Sequence, residues 1–278
     1  MSTRFAPSPT GQLHLGHVYA AKFAYDLAQK TNTEFLLRFE DIDLTRVKDE
    51  YYLEIERDLT WLGLNWNGKP LRQRERFPLY AQALEKLKAR EVVYPCFCTR
   101  REIQRDIKTM GEAPHSDDNS KNSQYPGTCK VLTPQQRQAK IDTGAPHCWR
   151  LDAKAAADQT GKIYFEDSIY GKTQVNHKLL GDVILARKDI TTSYHIAVVI
   201  DDAMQQITDV SRGADLLTST HVHCLLQNLL ELPTPCYHHH RLILDDQDKR
   251  LAKRNHTQSI KTLRGQNKTA AEVIAMVT

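Results

Sequence analysis

Arg4-Phe5-Ala6-Pro7-Ser8-Pro9-Thr10-Gly11-Gln12-Leu13-His14-Leu15-Gly16-His17 is the stretch on which the reading of this chain turns. It begins apolar, bends through two prolines and a glycine, and offers two histidines around Leu15-Gly16. It then runs into an apolar-periodic helix predicted from Val18 to Lys30. A strand, a loop and a helix N-terminus therefore follow one another. Free N–H groups and the positive dipole end of such a helix favour a phosphate, and imidazoles beside it can stabilise charge growing there. Taken alone, the four residues His14 to His17 read equally well as an ordinary first βα turn carrying a stray histidine pair.

Outward from this stretch, the totals set bounds. A chain of 278 residues makes one or two domains with a sizeable core. Charged residues at 26% and hydrophobic residues at 40% are ordinary for a globular protein. A net charge of +4 permits a polyanionic partner without demanding one. No apolar run is long enough to span a bilayer and no cationic-then-apolar leader opens the chain, so the expectation is no membrane and a cytoplasmic location. Six cysteines are too sparse for a secreted disulfide framework. Cys148, Cys224 and Cys236 look solitary and are assigned to packing.

Glu34 to Phe39 reads as a buried strand ending in Glu40-Asp41-Ile42-Asp43. Acids just past the C-terminal end of a parallel strand stand at the rim where α/β sheets bind ligands. Glu40 there suits an ammonium group, although such acids also serve as solvated or capping residues. A helix is predicted from Arg46 to Leu62, with Tyr52, Ile55, Leu59 and Leu62 on one side and Gly63 as its stop. Another follows from Pro78 to Arg90, then a short strand at Val92 to Tyr94, which reads as βαβ construction.

At Cys96 the character changes. Cys96-Phe97-Cys98 precedes a predicted helix (Thr99 to Met110), a polar stretch from Gly111 to Gln124 expected as surface loop, and Tyr125-Pro126-Gly127-Thr128-Cys129. Two cysteines one apart and a third after a tight turn can close a tetrahedral metal site if one more ligand joins. Tyr125, His115, Asp117 and water are the candidates. Short strands are expected at Cys148 to Asp152, Ile163 to Asp167 and Asp182 to Ala186, punctuated by glycines. This reads as a small insertion between two halves of a nucleotide-binding fold.

The second half is expected to repeat the first. Tyr194 to Asp202 reads as a buried strand ending in two acids, and Ile207 to Gly213 as a strand closing on Arg212 and a glycine. A long helix is predicted from Ala214 to Leu230. His238, His239 and His240 lie on an extended segment where alternate side chains point opposite ways, so they cannot all face one ion. A strand is expected from Arg241 to Leu244. Arg250-Leu251-Ala252-Lys253-Arg254 is a basic loop, which is more often solvated surface than site.

The opening stretch closely resembles the histidine signature of the class I aminoacyl-tRNA synthetases, and its Arg-Phe-Ala-Pro-Ser-Pro-Thr-Gly lead-in resembles the glutamate-specific branch. The basic loop stands where that class carries Lys-Met-Ser-Lys-Ser, in degenerate form, with Ala252 and Arg254 replacing the serines. In its shortness and its C-x-C/Y-x3-C insertion the chain is similar to the glutamyl-queuosine tRNA(Asp) synthetases of the branch. The resemblance implies an α/β fold: a Rossmann-like parallel-sheet catalytic domain over 1–94 and 192–278, with a zinc-bearing, acceptor-binding insertion over 95–191. It implies structural Zn2+, one per chain, on Cys96, Cys98, Tyr125 and Cys129, and Mg2+ arriving with ATP. His14, Gly16, His17 and Lys253 would meet ATP, with His14, His17 and Lys253 catalytic. Arg4, Phe5, Ala6, Pro7, Ser8, Glu40, Tyr194 and Arg212 would form the L-glutamate site. The implied activity is formation of glutamyl-adenylate and transfer of glutamate to queuosine in the anticodon of tRNA(Asp). The 24 residues after Arg254 are expected to leave no room for an anticodon-binding domain, and a monomer is expected. The rivals are a truncated glutamyl-tRNA synthetase charging a 3′ end and a non-catalytic nucleotide- or tRNA-binding paralogue.

Overall fold

The computed structural model describes residues 2–111, 124–243 and 259–278. Lys253 and its basic loop, His115 and Asp117 lie outside the described residues.

Strand β1 (Ser2–Phe5) is buried along its whole length and leads through the proline loop into helix α1 (Leu15–Thr31). The helix starts three residues before the point expected from its periodicity because His14 caps it. Leu15, Val18, Ala21, Ala24 and Ala28 are its buried face, and the alanines let it sit close to the sheet, with Thr3 Oγ1 donating to the Ala24 carbonyl at 3.0 Å. Strand β2 (Glu34–Phe39) runs where expected, parallel to β1 with Arg4 opposite Leu36. Helix α2 (Asp49–Trp61) buries Tyr52, Ile55 and Leu59 and ends before Gly63, whose φ of 75° suits glycine. Strand β3 (Leu71–Arg72) extends the parallel sheet beside β2, and helix α3 (Phe77–Ala89) follows.

Strand β4 (Val93–Cys96) departs from the expected βαβ continuation. It is an edge strand, antiparallel to β5, of a separate sheet ordered β4-β5-β8. Pro95 supplies a reason, since a residue without an N–H is tolerated at an edge and not inside a parallel ladder. Helices α4 (Arg100–Gly111) and α5 (Pro134–Asp142) come next, the second opened by a Thr133/Gln136 capping box. Then follow β5 (Cys148–Leu151), helix α6 (Ala153–Thr160) capped by Asp152, the hairpin β6 (Tyr164–Asp167) and β7 (Gly171–Gln174), and β8 (Ile184–Ala186). The hairpin lies within the 95–191 stretch in sequence, yet β6 pairs with a strand of the chain's last third, β10.

The run expected as a strand from Tyr194 to Asp202 is helix α7 (Tyr194–Met204). A short continuous apolar run is the pattern of a strand buried on both faces and equally of a helix buried all round. Here Ile196, Ala197, Val198 and Val199 are all buried against α3 and α8. Strand β9 (Asp209–Gly213), a 3-10 turn at Ala214–Leu216 and helix α8 (Leu217–Leu229) match the expected strand and helix, the helix entered through that tighter turn. Strand β10 (Cys236–His240) contains the three histidines themselves, so the strand expected at Arg241 to Leu244 falls one segment too late. Two short helices, α9 (Ile260–Gly265) and α10 (Ala270–Ala275), follow, and α10 packs on α1.

β9 pairs parallel with β10. The Thr208 N–H donates to the Ser2 carbonyl at 3.1 Å, which sets β9 beside β1. The strands thus run β3-β2-β1 and, beside β1, β9-β10-β6, parallel within each set, with β7 reversed next to β6. The order turns between β1 and β9, and the carboxyl ends of the strands on either side of that turn define where a ligand fits.

Candidate active site

Four elements deliver one group each to that edge. Arg4 comes from β1, Glu40 from the residue after β2, Arg212 from β9 and Tyr194 from the first turn of α7. Ser8 from the proline loop joins Glu40 and Tyr194 in lining a cavity of about 310 Å³, with Thr10, Asp43 and Gln73. The loop is sewn to β2 by the Glu40 N–H donating to the Pro7 carbonyl at 3.0 Å. Phe5 turns its side chain into the core, and Pro7 is buried. Phe5, Ala6 and Pro7 thus bring backbone, not side chains, toward the site.

The acids after β2 have three different fates. Asp41 is fully buried, accepting from Tyr52 OH at 2.5 Å and from the Arg74 N–H at 2.8 Å. Asp43 is ion-paired with Arg187 at 3.3 Å. Glu40 keeps its carboxyl on the cavity, pushed up to about 7 by burial against the opposing pull of Arg38 and Arg4.

Two guanidiniums share one carboxylate beneath the cavity floor. Arg4 Nε and Arg38 Nη1 each lie 2.8 Å from Asp202 Oδ1. These two cations hold Asp202 below the usual carboxylate range although burial pushes the other way. Arg38 is completely buried, and its Nη2 lies 3.9 Å from Glu40. Neither Arg38 nor Asp202 is among the site residues read from the sequence. The signal available was a charged residue inside the apolar run Phe35-Leu36-Leu37-Arg38-Phe39.

Arg212 is held differently. Its Nε donates to His239 Nε2 at 3.2 Å, Nη1 lies 3.0 Å from His223 Nδ1, and Nη2 donates to Thr220 Oγ1. His239 Nδ1 faces Asp167, and His223 Nε2 faces His195 Nδ1 at 3.1 Å. Burial, then the nearby Arg212 charge, pushes His195 and His239 down to about 4 and His223 well below its usual value. The imidazoles next to Arg212 are therefore neutral acceptors. Among the described residues these bonds leave the Arg212 charge without a carboxylate in direct contact, whereas that of Arg4 is met by Asp202. Arg212, Glu40 and Arg4 all bear on the Tyr194 hydroxyl, whose pKa is raised first by burial.

A second cavity of about 130 Å³ adjoins the N-terminus of α1, lined by His14, Gly16, His17, Gly213, Asp215 and the segment His240 to Ile243. His14 Nδ1 accepts from the Gly16 N–H at 3.1 Å and His17 Nδ1 from the His14 N–H at 3.2 Å, a reciprocal cap with the rings 3.8 Å apart. Acceptance at Nδ1 places the proton of each neutral ring on Nε2. A Cβ at Gly213 would come within 2.5 Å of Asp215 and 2.7 Å of Leu242, so this wall requires glycine or a shift of both side chains. Ser259 forms an antiparallel bridge with His14, and the Ile260 N–H donates to the Leu13 carbonyl at 2.9 Å. Both flanks of segment 244–258 therefore stand at this cavity.

Cys96, Cys98 and Cys129 bring their sulfurs together. Cys98 Sγ lies 3.4 Å from Cys129 Sγ and 3.5 Å from the Tyr125 hydroxyl, which accepts from the Cys129 N–H at 2.7 Å. Cys148 is not solitary as expected: it is the β5 partner of Cys96 across the strand pair. Its hydrogen bond to Cys96, ahead of those from Tyr125 and Arg150, holds Cys96 at about 4, and burial pushes Cys98 up to about 12. Of the other two thiols, Cys224 is buried in packing, and Cys236 is half-buried at the start of β10. Among the described residues no helix is long and apolar enough to cross a membrane.

A cavity at the carboxyl ends of parallel strands, a histidine pair capping α1 and two arginines sharing Asp202 agree with the class I synthetase expected from the sequence. The family model for tRNA synthetases class I (E and Q), catalytic domain, matches residues 1–278, and the chain belongs to that family as an enzyme of its glutamate branch. It is 43% identical to the glutamyl-Q tRNA(Asp) synthetase of Rhodobacter capsulatus, covering 100% of this chain and 99% of that protein. It is 38% identical to the protein of the same name from Nitratidesulfovibrio vulgaris, over 97% of this chain and 83% of the other. Among solved structures, a glutamate tRNA ligase from Elizabethkingia meningosepticum in complex with its amino acid superposes with a TM-score of 0.74 at 29% identity, covering 92% of this chain and 52% of that one.

Proposed function

We propose that this enzyme activates L-glutamate with ATP and transfers the glutamyl group to queuosine in the anticodon of tRNA(Asp). The observation that carries the amino-acid part is the contrast between its arginines. A buried guanidinium held by neutral imidazoles and a hydroxyl, close to one carboxyl, suits a ligand bringing more negative charge than positive. L-Glutamate, with two carboxylates and one ammonium, fits that inventory. Arg212 takes the side-chain carboxylate through bidentate hydrogen bonds, Glu40 the ammonium, and Ser8, Tyr194 and the backbone of Phe5, Ala6 and Pro7 the rest, with Arg4 beneath.

In the reaction the α-carboxylate oxygen forms a bond to the α-phosphorus of ATP while the bond to pyrophosphate breaks. The chain contributes positioning and donors around growing negative charge. His14 and His17, each with its proton on Nε2, meet the phosphate side above Gly16 at the N-terminus of α1. Lys253, in the segment whose flanks reach the same cavity, neutralises the leaving phosphates. Mg2+ arriving with ATP would supply further positive charge on its phosphates. Adenylate formation needs no tRNA in this reading.

The cysteine cluster fits zinc. Tetrahedral thiolate sites with bonds of about 2.3 Å have sulfurs roughly 3.8 Å apart, close to the spacing of Cys98 and Cys129. The hydrogen bonds from Cys148, Tyr125 and Arg150 lower the Cys96 thiol, which favours the thiolate a metal takes. Cys96, Cys98, Cys129 and Tyr125 would hold one Zn2+ per chain, which ties β4 to the turn before α5. Residues 95–191, apart from the β6–β7 hairpin that joins the catalytic sheet at β10, then form the insertion that meets the tRNA, while 1–94 and 192–278 with that hairpin carry the chemistry in a single cytoplasmic chain. The near-complete overlap with the two glutamyl-Q relatives supports the queuosine acceptor.

Glutamate-dependent ATP–pyrophosphate exchange without tRNA, followed by labelling of tRNA(Asp) with and without queuosine, tests the reading. Exchange plus queuosine-dependent label is expected. Labelling of a glutamate tRNA at its terminal adenosine would instead make the protein a 3′-charging ligase, and absence of exchange would make it a binding protein.

A further inference from the structure

The start of β9 and β10 carries a second group of donors. Asp209 and Cys236 are partners in the parallel register, and His238, two residues on, shares their face. One oxygen, one sulfur and one nitrogen of these residues lie within 4.8 Å of one another. We propose that Asp209, Cys236 and His238 form a binding site for a divalent cation of the zinc class, separate from the Cys96, Cys98 and Cys129 cluster.

A tetrahedral ion with bonds of about 2.0–2.3 Å spaces its donors roughly 3.3–3.8 Å apart. Asp209 Oδ1 and His238 Nε2 stand at 2.9 Å, so this pair opens slightly and the thiol closes in. His238 has the outer partner that imidazole ligands use. Its Nδ1 lies 2.7 Å from Ser168 Oγ, a hydroxyl that accepts from Nδ1–H once Nε2 turns to the ion. The thiol also feels the carboxylates of Glu166 and Asp167 besides Asp209, a field that favours a cation. Lys172, 4.0 Å from Glu166 and exposed, opposes it weakly. Sulfur, imidazole and carboxylate together select a borderline ion over Mg2+ or Ca2+, which take oxygen. Binding releases the thiol proton of Cys236 and leaves a position for water. The site ties together the strand ends opposite to those bearing Arg212 and His240, so its role is to clip the sheet, not to react.

The test uses the full chain, stripped with chelator and dialysed to equilibrium against Zn2+ and, separately, Co2+. Wild type is expected to take up one equivalent more than Cys236→Ser and one more than His238→Gln, both retaining glutamate-dependent exchange. Cys98→Ser is expected to keep that equivalent, together with a Zn2+-dependent rise in melting temperature that Cys98→Ser/Cys236→Ser lacks. The difference between wild type and Cys236→Ser decides the matter even where Cys98→Ser does not fold, and whether or not the other cluster binds metal. Equal uptake by wild type, Cys236→Ser and His238→Gln overturns the proposal.

Discussion

Glu40 stands one residue past β2 with its carboxyl pushed up to about 7, so near neutrality the empty site holds a mixture of acid and carboxylate. An ammonium pairs with the carboxylate alone. Glutamate affinity should therefore be full above pH 7 and fall roughly tenfold for each pH unit below it, one proton being displaced on binding. Measured from pH 5.5 to 8.5, the dissociation constant in wild type should follow that line, while Glu40→Gln should bind weakly without the slope. A flat wild-type profile would remove Glu40 from the ammonium site. Arg212 sets a second comparison. Arg212→Ala should raise the KM for glutamate by about 2–5 kcal/mol, the usual cost of breaking a buried charge pair, or some thirtyfold to several thousandfold. At this scale Glu40 was singled out by its place after β2, and Tyr194 and Arg212 by the family resemblance; the structure sets each beside an element end. The imidazole cradle was not legible: His239 and Asp167 are 72 positions apart, and no local pattern joins them.

Helix α7 shows how an element can be misread while its residues are noticed. Its apolar run suits a buried strand, and only tertiary packing on α3 and α8 decides for the helix. The two acids at its end then serve different neighbours. Asp201 accepts from Gln73, Arg76 and Tyr80, while Asp202 joins Arg4 and Arg38. Asp202→Ala would strand two buried guanidiniums and should destabilise the fold by about 3–5 kcal/mol, read as a lower denaturant midpoint at constant slope. Because Arg38 and Arg4 lower the folded-state pKa of Asp202, its contribution is present above the unfolded value and is lost as pH falls through the folded one. Wild type should thus lose stability in acid more steeply than the variant. β4 makes a similar point: Val92 to Tyr94 has strand composition, but Pro95 placed it at an edge.

Across the whole molecule the parallel halves were legible from the histidine signature and the spacing of apolar runs, whereas the antiparallel β4-β5-β8 sheet and the joining of β6 to β10 depend on contacts far apart in sequence. None of Cys96, Cys98, Tyr125 and Cys129 lines either cavity of the catalytic edge. Cys129→Ser should therefore lower the melting temperature and weaken transfer to tRNA, yet leave glutamate-dependent exchange within about threefold of wild type. Loss of exchange in a folded Cys129→Ser protein would tie the cluster to the chemistry. The phosphate side makes the opposite demand. Ile243 lines the His14 cavity and Ser259 bridges His14, so the segment between them is anchored at both flanks beside the same helix N-terminus. Lys253 is six residues from Ser259, a span of at most about 20 Å at full extension, and in the proposed reaction its ammonium would meet charge that grows only as pyrophosphate departs. Lys253→Ala should lower kcat for exchange and kcat/KM together, leaving glutamate affinity near wild type, as removal of a transition-state contact does. Arg212→Ala should raise KM first. Two variants with the same kinetic signature would mean that the cavities under Tyr194 and beside His14 do not divide amino acid from triphosphate.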